Sequence, residues 1–444
     1  MKRQKIPLWI LASGTLLLAV LERVILALFY APVTYHDTAS YRRSADAILH
    51  GWAGYDGTRT PGYPAFMALF GSDHHVYLAQ LALGLLMTLI FFYLGWKLSG
   101  RLAFGLLAAL IHTLNLGQLF FEADLITENS STFFIVLALV GAFIWLAYPK
   151  RRSIWLAIAI GVAASVATLI RPLFIFLPFW TALFLAVSFQ GKRIEIHWQP
   201  LLGVVIPSLL LIGGWVYYID TNFHILSVTT MNGYHLVQHT GNFFQYVPDQ
   251  YAALRDTYLK YRAQRIAKYG TQGNTIWDAI PEMQRVSGQS FYELSRTLQA
   301  ISIDLILHHP FLYLQNVASG WWMFWRAPFY WAPDQITPIL SGLMQGLAFL
   351  ERIVLVGINM LFLIASGLLA AWPRFRRAGR VTTFGWLVMS TIWVTSIVQT
   401  LLDHGDNPRF LVPLQTWVVL WVAWLGYMVY TSGFFNRKKE ILNS

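Results

Sequence analysis

Cysteine is absent from the 444 residues, which excludes disulfides, thiolate metal sites and a cysteine nucleophile but does not fix the redox compartment. Charge is also scarce, because Asp, Glu, Lys and Arg make up 12% of the chain, about half the usual share of a soluble protein. Hydrophobic residues make up 56% and stand in long blocks. This composition predicts a polytopic membrane protein. It excludes a soluble enzyme, a nucleic-acid-binding domain and a disordered tail.

The common motifs of soluble enzymes are missing as well. There is no glycine-rich phosphate loop, no Gly-x-Ser-x-Gly and no ATP motif. The histidines include the adjacent pairs His74-His75 and His308-His309, and neither pair has the spacing of a zinc helix motif. The histidines are therefore predicted to be surface or interfacial residues.

Apolar stretches long enough to cross a membrane recur along the chain. A transmembrane helix needs about 20 mostly apolar residues. Ten stretches qualify, and the first is predicted to be an uncleaved helix: 8–30, 76–96, 102–118, 129–148, 154–170, 173–190, 200–219, 349–372, 381–402 and 410–432. The predicted fold is an all-α polytopic membrane bundle of about ten transmembrane helices.

Loop charges predict the orientation. Basic residues near membrane helices stay on the cytoplasmic side. With the N-terminus inside, the inner segments carry 17 Lys and Arg against two acids, Glu195 and Glu440, and the outer segments carry 17 of the 21 acids. The sequence predicts a multi-pass plasma-membrane protein with both termini cytoplasmic. The net charge of +11 is then a topology signal and requires no nucleic-acid partner.

Three outer segments are long or charged enough to form a cap: 31–75, 119–128 and 220–348. Within the last, 249–269 has helical periodicity and 310–326 is aromatic-rich, as in an interfacial helix. The predicted organisation is an N-terminal transmembrane module with outer loops (1–219), a cap of amphipathic or interfacial helices (220–348) and C-terminal transmembrane helices with a cytoplasmic tail (349–444).

The first outer loop carries Asp37 directly after the first span. Asp is a favoured helix N-cap, and position alone favours that role for a helix over about 38–50. A carboxylate at a helix N-terminus also stays ionised and can carry chemistry. Arg59 follows as a surface ion-pair or headgroup residue, before a fixed turn at 61–64.

The second outer loop places three acids, Glu122, Asp124 and Glu128, where a membrane helix begins. Negative charge at a helix N-terminus is favourable in itself. The functional alternative is that one of these acids assists Asp37 or binds a cation or the acceptor.

Two arginines interrupt apolar sequence at the predicted outer membrane level. Arg171 precedes Pro172, and Arg409 ends the connection that also contains His404. Each could be a snorkelling arginine at a turn, or both could grip a phosphate with paired hydrogen bonds. Glu22 and Arg23 within the first span are predicted to form a structural pair, because charge in lipid is costly.

Taken in order, several short motifs resemble a known family. They are Asp37-x-x-x-Tyr41, Ala45-x-x-Ile48-Leu49-x-Gly51, Arg59-x-Pro61-Gly62-Tyr63-Pro64, Thr127-Glu128, Arg171-Pro172, His309-Pro310 with Tyr313, and Arg409-Phe410-x-x-Pro413. The chain from about 1 to 430 resembles GT-C-type membrane glycosyltransferases, with glycosyltransferase family 39 (protein O-mannosyltransferases) and the lipid A aminoarabinose transferases nearest. The segment 220–348 matches only loosely.

The resemblance implies an inverting sugar transfer from a polyprenyl-phosphate donor to a lipid, glycan or protein acceptor at the outer face, with membrane lipids around it. Asp37 takes the place of the catalytic carboxylate. Protein mannosyltransferases carry Asp-Glu there and this chain has Thr38, so Glu122 or Asp124 would supply a second carboxylate. Candidate substrate-binding residues are Arg171, Arg409, Arg59, Tyr41, Tyr63 and His404. No metal and no cofactor is expected, since the lipid-linked sugar is a substrate.

The chemistry is coherent without metal. A phosphate leaving group is a weak base that needs charge stabilisation, which arginine can supply, and one carboxylate suffices as the base for a hydroxyl. Two other functions stay open. A metal-dependent oligosaccharide transferase would use Asp37, Glu122 and Asp124 as cation ligands, and a transporter or lipid flippase would use interrupted helices.

Overall fold

The computed structural model describes residues 7–190, 193–327, 329–404, 407–432 and 434. Within these ranges the protein is almost entirely helical. The basic residues at the N-terminus and in the C-terminal tail, on which the predicted orientation partly depends, lie outside the described residues. The orientation therefore remains a prediction from loop charge.

The N-terminal part contains eleven helices and one hairpin of the described chain. In order they are α1 (Leu8–Phe29), α2 (His36–Leu49), α3 (Gly62–Phe70), α4 (Asp73–Ser99), α5 (Leu102–Thr113), α6 (Leu116–Phe121), α7 (Thr127–Ala147), α8 (Ile154–Ile170), α9 (Leu177–Ala186), strands β1 (Val187–Gln190) and β2 (Arg193–Ile196), α10 (Trp198–Ser208) and α11 (Gly214–Phe223). The strands pair antiparallel.

The remaining helices divide into a cap and a C-terminal group. From here on, the cap means the segment 232–324, which lies within the predicted range 220–348. It contains α12 (Asn232–Thr240), α13 (Ala252–Tyr269), α14 (Thr275–Ser287), α15 (Phe291–His308) and α16 (Pro310–Phe324). The C-terminal group contains α17 (Pro338–Ala371), α18 (Pro373–Gly379), α19 (Thr383–Leu402) and α20 (Val412–Thr431).

Seven helical segments of the described chain are long and apolar enough to cross a membrane: Ile10–Phe29, Asp73–Ser99, Thr127–Ala147, Trp198–Phe223, Pro338–Ala371, Thr383–Leu402 and Pro408–Thr431. Three predicted spans correspond instead to the shorter apolar helices Leu102–Thr113, Ile154–Ile170 and Pro172–Ala186. The protein is thus a helical membrane protein with seven candidate membrane-spanning helices of full length in the described chain, and the count of about ten stays a prediction.

Two predicted boundaries were wrong for identifiable reasons. The span predicted over 102–118 ends at Thr113, because Asn115 accepts a hydrogen bond from the Gln118 amide at 2.8 Å and caps the separate helix α6. The span predicted over 173–190 ends at Ala186, where the chain enters the hairpin.

Helix α17 begins eleven residues before the predicted start at 349. Its 34 residues would extend about 50 Å at 1.5 Å per residue, well beyond a hydrocarbon core of about 30 Å. The helix is therefore longer than a span perpendicular to the membrane requires.

Close helix packing in the core depends on glycine. A Cβ on Gly161 of α8 would lie 2.5 Å from the Val204 carbonyl oxygen of α10. On the facing helix, a Cβ on Gly203 would lie 2.5 Å from the Cβ of Ala157. The two backbones approach so closely that neither position accommodates a side chain.

The cap has a hydrophobic core of its own, built around buried Tyr234, Phe244, Tyr258 and Leu298. Helix α16 fastens it to α19. The Tyr313 hydroxyl donates to the Leu401 carbonyl at 2.7 Å, and the Trp321 indole donates to the Ser396 hydroxyl at 3.3 Å. The predicted helices at 249–269 and 310–326 are confirmed within a few residues as α13 and α16.

Candidate functional site

Asp37 lies in the first turn of α2, two positions after the N-cap residue. The cap is Tyr35, whose backbone N–H donates to the Thr38 hydroxyl at 2.9 Å in a capping box. The N-cap role considered for Asp37 was therefore wrong. The helix N-terminus still stabilises the negative charge of the Asp37 carboxylate, and the side chain contacts residues outside the helix.

Asp37 lies between two arginines that are far apart in sequence. Its Oδ1 accepts from Arg59 Nη2 at 2.7 Å, and its Oδ2 accepts from Arg409 Nη1 at 3.3 Å and Nη2 at 3.4 Å. About 28% of the Asp37 side chain and 19% of each arginine side chain is exposed. The group is half-buried and still accessible to a ligand.

Arg59 is held by more than Asp37. Its Nε donates to the Ser40 hydroxyl at 2.7 Å, and its guanidinium lies 4.7 Å from the centre of the Tyr41 ring. Ser40 and Tyr41 belong to α2, one turn after Asp37. The helix therefore fixes both the carboxylate and the arginine that binds it.

The turn that follows Arg59 is pressed against the end of α8. A Cβ on Gly62 would lie 2.6 Å from the Ile170 backbone nitrogen, so only glycine fits. Ile170 immediately precedes Arg171. This close approach explains the Pro-Gly pair of the motif: it brings the Arg59 segment to the α8 end that carries Arg171.

Glu128 joins Arg409 to Arg171. Its Oε1 lies 3.1 Å from Arg409 Nε and 2.7 Å from Arg171 Nη1. Glu128 and Arg171 are buried, and the Phe410 ring lies 4.5 Å from the Arg171 guanidinium. One carboxylate oxygen thus holds two guanidiniums side by side.

These contacts link five residues into one chain of ion pairs, which we call the arginine network: Arg59, Asp37, Arg409, Glu128 and Arg171. Three guanidiniums face two carboxylates, which leaves one formal positive charge. Burial alone would raise the pKa of Asp37, but Arg59 and Arg409 outweigh it and lower the pKa to about 2. Asp37 is therefore ionised at neutral pH.

The two other acids predicted as catalytic have different surroundings. Glu122 is fully buried and accepts from Arg23 Nη2 at 2.6 Å. Asp124 is also fully buried, its Oδ1 accepts from the Tyr35 hydroxyl at 3.3 Å, and burial raises its pKa well above the usual range. Neither belongs to the arginine network. The hydrogen bond from Tyr35, the N-cap residue of α2, does place Asp124 next to the start of that helix.

The predicted pair of Glu22 and Arg23 is only part of a larger cluster. Arg23 Nη1 lies 3.8 Å from Glu22, whereas its shortest carboxylate contact is the one with Glu122. Thr113 completes the group by donating to Glu22 at 2.8 Å and accepting from Arg23 at 3.0 Å.

The remaining predicted substrate-binding residues lie at different places. Tyr41 stacks on Arg59 and packs edge-on against Tyr63, with ring centres 5.1 Å apart. Tyr63 is fully buried, and its hydroxyl donates to Gln80 at 2.9 Å. His404 packs against buried His239 of the cap, five residues before Arg409.

Glu128 is the network residue that sequence reasoning did not assign to the site. It was treated as one of three acids at a helix start, and it does lie in the first turn of α7. A signal was present, because two arginines at membrane depth require a buried counter-ion and an acid at a span end can supply it.

The described ranges contain no group of three or more His, Asp or Glu side chains arranged to hold a metal ion. Asp37, Glu122 and Asp124, considered together as cation ligands, thus form no common cluster. In comparisons with protein-family models, curated proteins and solved structures, nothing matches this chain.

Proposed function

We propose that this protein is a membrane glycosyltransferase of the GT-C type that transfers a sugar from a polyprenyl-phosphate carrier to an acceptor hydroxyl, with inversion, on the outer face of the plasma membrane. The observation that carries the proposal is the arginine network: an ionised carboxylate held at an accessible site between two arginines, in a network of three arginines and two acids with one positive charge in excess. Such a site pairs a base with an anion-binding group.

The roles of Asp37 and the arginines follow from their charges. The acceptor O–H gives its proton to Asp37, and its oxygen bonds to the anomeric carbon of the sugar. The bond from that carbon to the phosphate oxygen breaks, and its electron pair stays on the phosphate. Guanidiniums stabilise the charge that grows there. No step in this scheme requires a metal ion.

Charge balance is kept through the reaction. Protonation of Asp37 would leave the arginine network with two excess positive charges instead of one. The phosphate simultaneously changes from a diester with one negative charge to a monoester with up to two. The network therefore supplies more positive charge at the stage when the leaving phosphate needs it.

The buried Arg171 adds support. Its Nε has no hydrogen-bond partner among the residues that the structure describes, and buried polar groups in proteins are almost always paired. A phosphate oxygen or an ordered water would satisfy it.

The direct test incubates purified protein with a panel of polyprenyl-phosphate sugars and measures cleavage or transfer. Cleavage of one donor in excess chelator supports the proposal. Cleavage that disappears with chelator favours a metal-dependent oligosaccharide transferase. Movement of intact lipid across vesicles, with no cleavage, favours a flippase.

The predicted orientation is tested by labelling single cysteines introduced at Ser153 and at exposed Arg377, the neighbour of buried Ala378, because the chain has no cysteine of its own. Both positions should label only from the cytoplasmic side. Labelling from outside would contradict the placement of the site on the outer face.

A further inference from the structure

The two arginines on Asp37 are not equivalent. Arg59 Nη2 lies 2.7 Å from the Asp37 carboxylate, whereas the Arg409 nitrogens lie 3.3 and 3.4 Å away. An N⁺–H···O⁻ hydrogen bond normally measures about 2.7–2.9 Å. Arg59 thus makes a full charge-assisted hydrogen bond and Arg409 makes a looser contact.

Their other contacts differ in the same way. Arg59 is tied to Ser40 and stacked on Tyr41, both on the helix that carries Asp37. Arg409 comes from a distant part of the chain, in the short 3₁₀ turn before α20, and its Nε lies against Glu128. The Arg409 guanidinium thus spans two carboxylates, Asp37 through Nη1 and Nη2 and Glu128 through Nε, and it also lies 5.8 Å from the centre of the Phe410 ring.

The two arginines on Asp37 lower its basicity and leave less room for a phosphate. With both arginines on it, Asp37 is a weak base, since its pKa lies far below neutral, and general-base catalysis is most effective with a pKa near the working pH. At the same time, the Asp37 carboxylate occupies the guanidinium face that a phosphate would use. Both problems are removed if one arginine moves from Asp37 to the ligand.

We infer that Arg409 is exchanged between Asp37 and the phosphate of the donor, while Arg59 remains on Asp37 as a positioning residue. Asp37 is then an internal competitor for the anion site in the resting protein, and donor binding frees it to act as the base. This inference rests on the proposed function, because it assumes a phosphate ligand. It assigns Arg59 to the carboxylate and Arg409 to the ligand, although sequence reasoning gave phosphate binding to both.

The test measures binding of farnesyl phosphate to the purified full-length protein in detergent by calorimetry. Asp37→Asn should bind it about tenfold more tightly than wild type, because no carboxylate competes for Arg409, and an ion pair that must break weakens binding by about that order. Asp46→Asn is the matched control, since Asp46 is an exposed acid on the same helix, and it should bind like wild type.

A double-mutant cycle separates exchange from simple repulsion. In an Arg409→Gln background, Asp37→Asn should give at most about twofold tighter binding, because the shared arginine is gone. In an Arg59→Gln background the gain of about tenfold should persist. A gain that survives in Arg409→Gln would show that Asp37 repels the phosphate through space, and would overturn the exchange.

The role of Arg59 is read from kinetics. Arg59→Gln should lower kcat for sugar transfer and change KM for the donor by less than about threefold, with partial rescue by Arg59→Lys. A raised KM with unchanged kcat would make Arg59 a ligand contact and contradict the assignment. Thermal unfolding of every variant checks that the protein is folded.

The failure of the inference differs from the failure of the proposed function. If wild type binds farnesyl phosphate through Arg409 but Asp37→Asn binds no tighter, the exchange is wrong and the anion site stands. If wild type does not bind farnesyl phosphate and cleaves no carrier-linked sugar, the proposed function and this inference are both wrong.

Discussion

Two of the charged clusters in the described part of the chain, the arginine network and the cluster around Arg23, differ in both charge and access. The arginine network has three guanidiniums for two carboxylates and is half-exposed at Asp37. The cluster around Arg23 has one guanidinium for the two carboxylates of Glu22 and Glu122, and Arg23 and Glu122 are buried.

Their hydrogen bonds differ as well. Arg23 donates to the Ala19 carbonyl, the Thr113 hydroxyl and Glu122, so the cluster ties α1 to α5 and to the segment after α6. It has no positive charge to spare for an anionic ligand. Charged residues at membrane depth are thus not enough to identify a binding site; an excess of one sign and access from outside are the distinguishing properties.

The most severe test of this comparison is Asp37→Asn in a sugar-transfer assay. Loss of a general base typically costs about 100- to 10,000-fold in rate. The fold should survive, because the capping box of α2 uses Tyr35 and Thr38. Asp46→Asn serves as the matched control and should keep full transfer. Near-normal turnover by a folded Asp37→Asn protein would move the search for the base to Asp124.

The Arg23 cluster should behave in the opposite way. Arg23→Gln leaves Glu122 buried without its partner, and breaking a buried ion pair typically costs about 3–5 kcal/mol of stability. Chemical unfolding in mixed micelles measures this loss. Binding of farnesyl phosphate per folded molecule should match wild type. A selective loss of binding in a folded Arg23→Gln protein would make this cluster part of the ligand site.

A smaller effect should separate arginine from lysine within the network. Arg409→Ala should weaken farnesyl phosphate binding by at least about tenfold, since two charge-assisted hydrogen bonds are lost. Arg409→Lys keeps the charge without the fork and should fall between Ala and wild type. The same order is expected at Arg171. If both Ala variants bind and turn over carrier normally, these arginines are only interfacial anchors.

Sequence reasoning predicted the helical membrane fold because long apolar blocks are a local property. It placed a helix over 38–50, close to α2, from the cap-like Asp37 before it, although the N-cap is Tyr35. It placed the end of the span 102–118 too late, because hydrophobicity alone does not reveal where a cap such as Asn115 ends one helix and begins another. The start of α17 was placed too late, since a span of ordinary length accounts for only part of its 34 residues.

The site was harder to predict than the fold. Asp37, Arg59, Arg171 and Arg409 were each found as charges in unusual places, yet no local pattern shows that they form one network. The contacts join residues up to 372 positions apart. Glu128 was missed because an acid at a helix start has a sufficient local explanation. Only the tertiary packing of α7, α8 and the turn before α20 reveals that it faces two arginines.

The smallest expected effect concerns pH and the stability that Asp37 contributes. The pKa of Asp37 is lowered from 3.8 to about 2, so its ionised form is the one that folding favours. Its contribution is therefore fully present above about pH 5 and is lost as the pH falls from about 4 to about 2. The difference in melting temperature between wild type and Asp37→Asn should stay constant from pH 8 to pH 5 and shrink only below about pH 4. It should be modest, because solvent screens a half-exposed pair. Asp46→Asn shows whether acid affects the mutants in general. A difference that closes between pH 7 and pH 5 would mean that Arg59 and Arg409 do not hold Asp37 ionised, and the excess positive charge of the network would then have to be assigned differently.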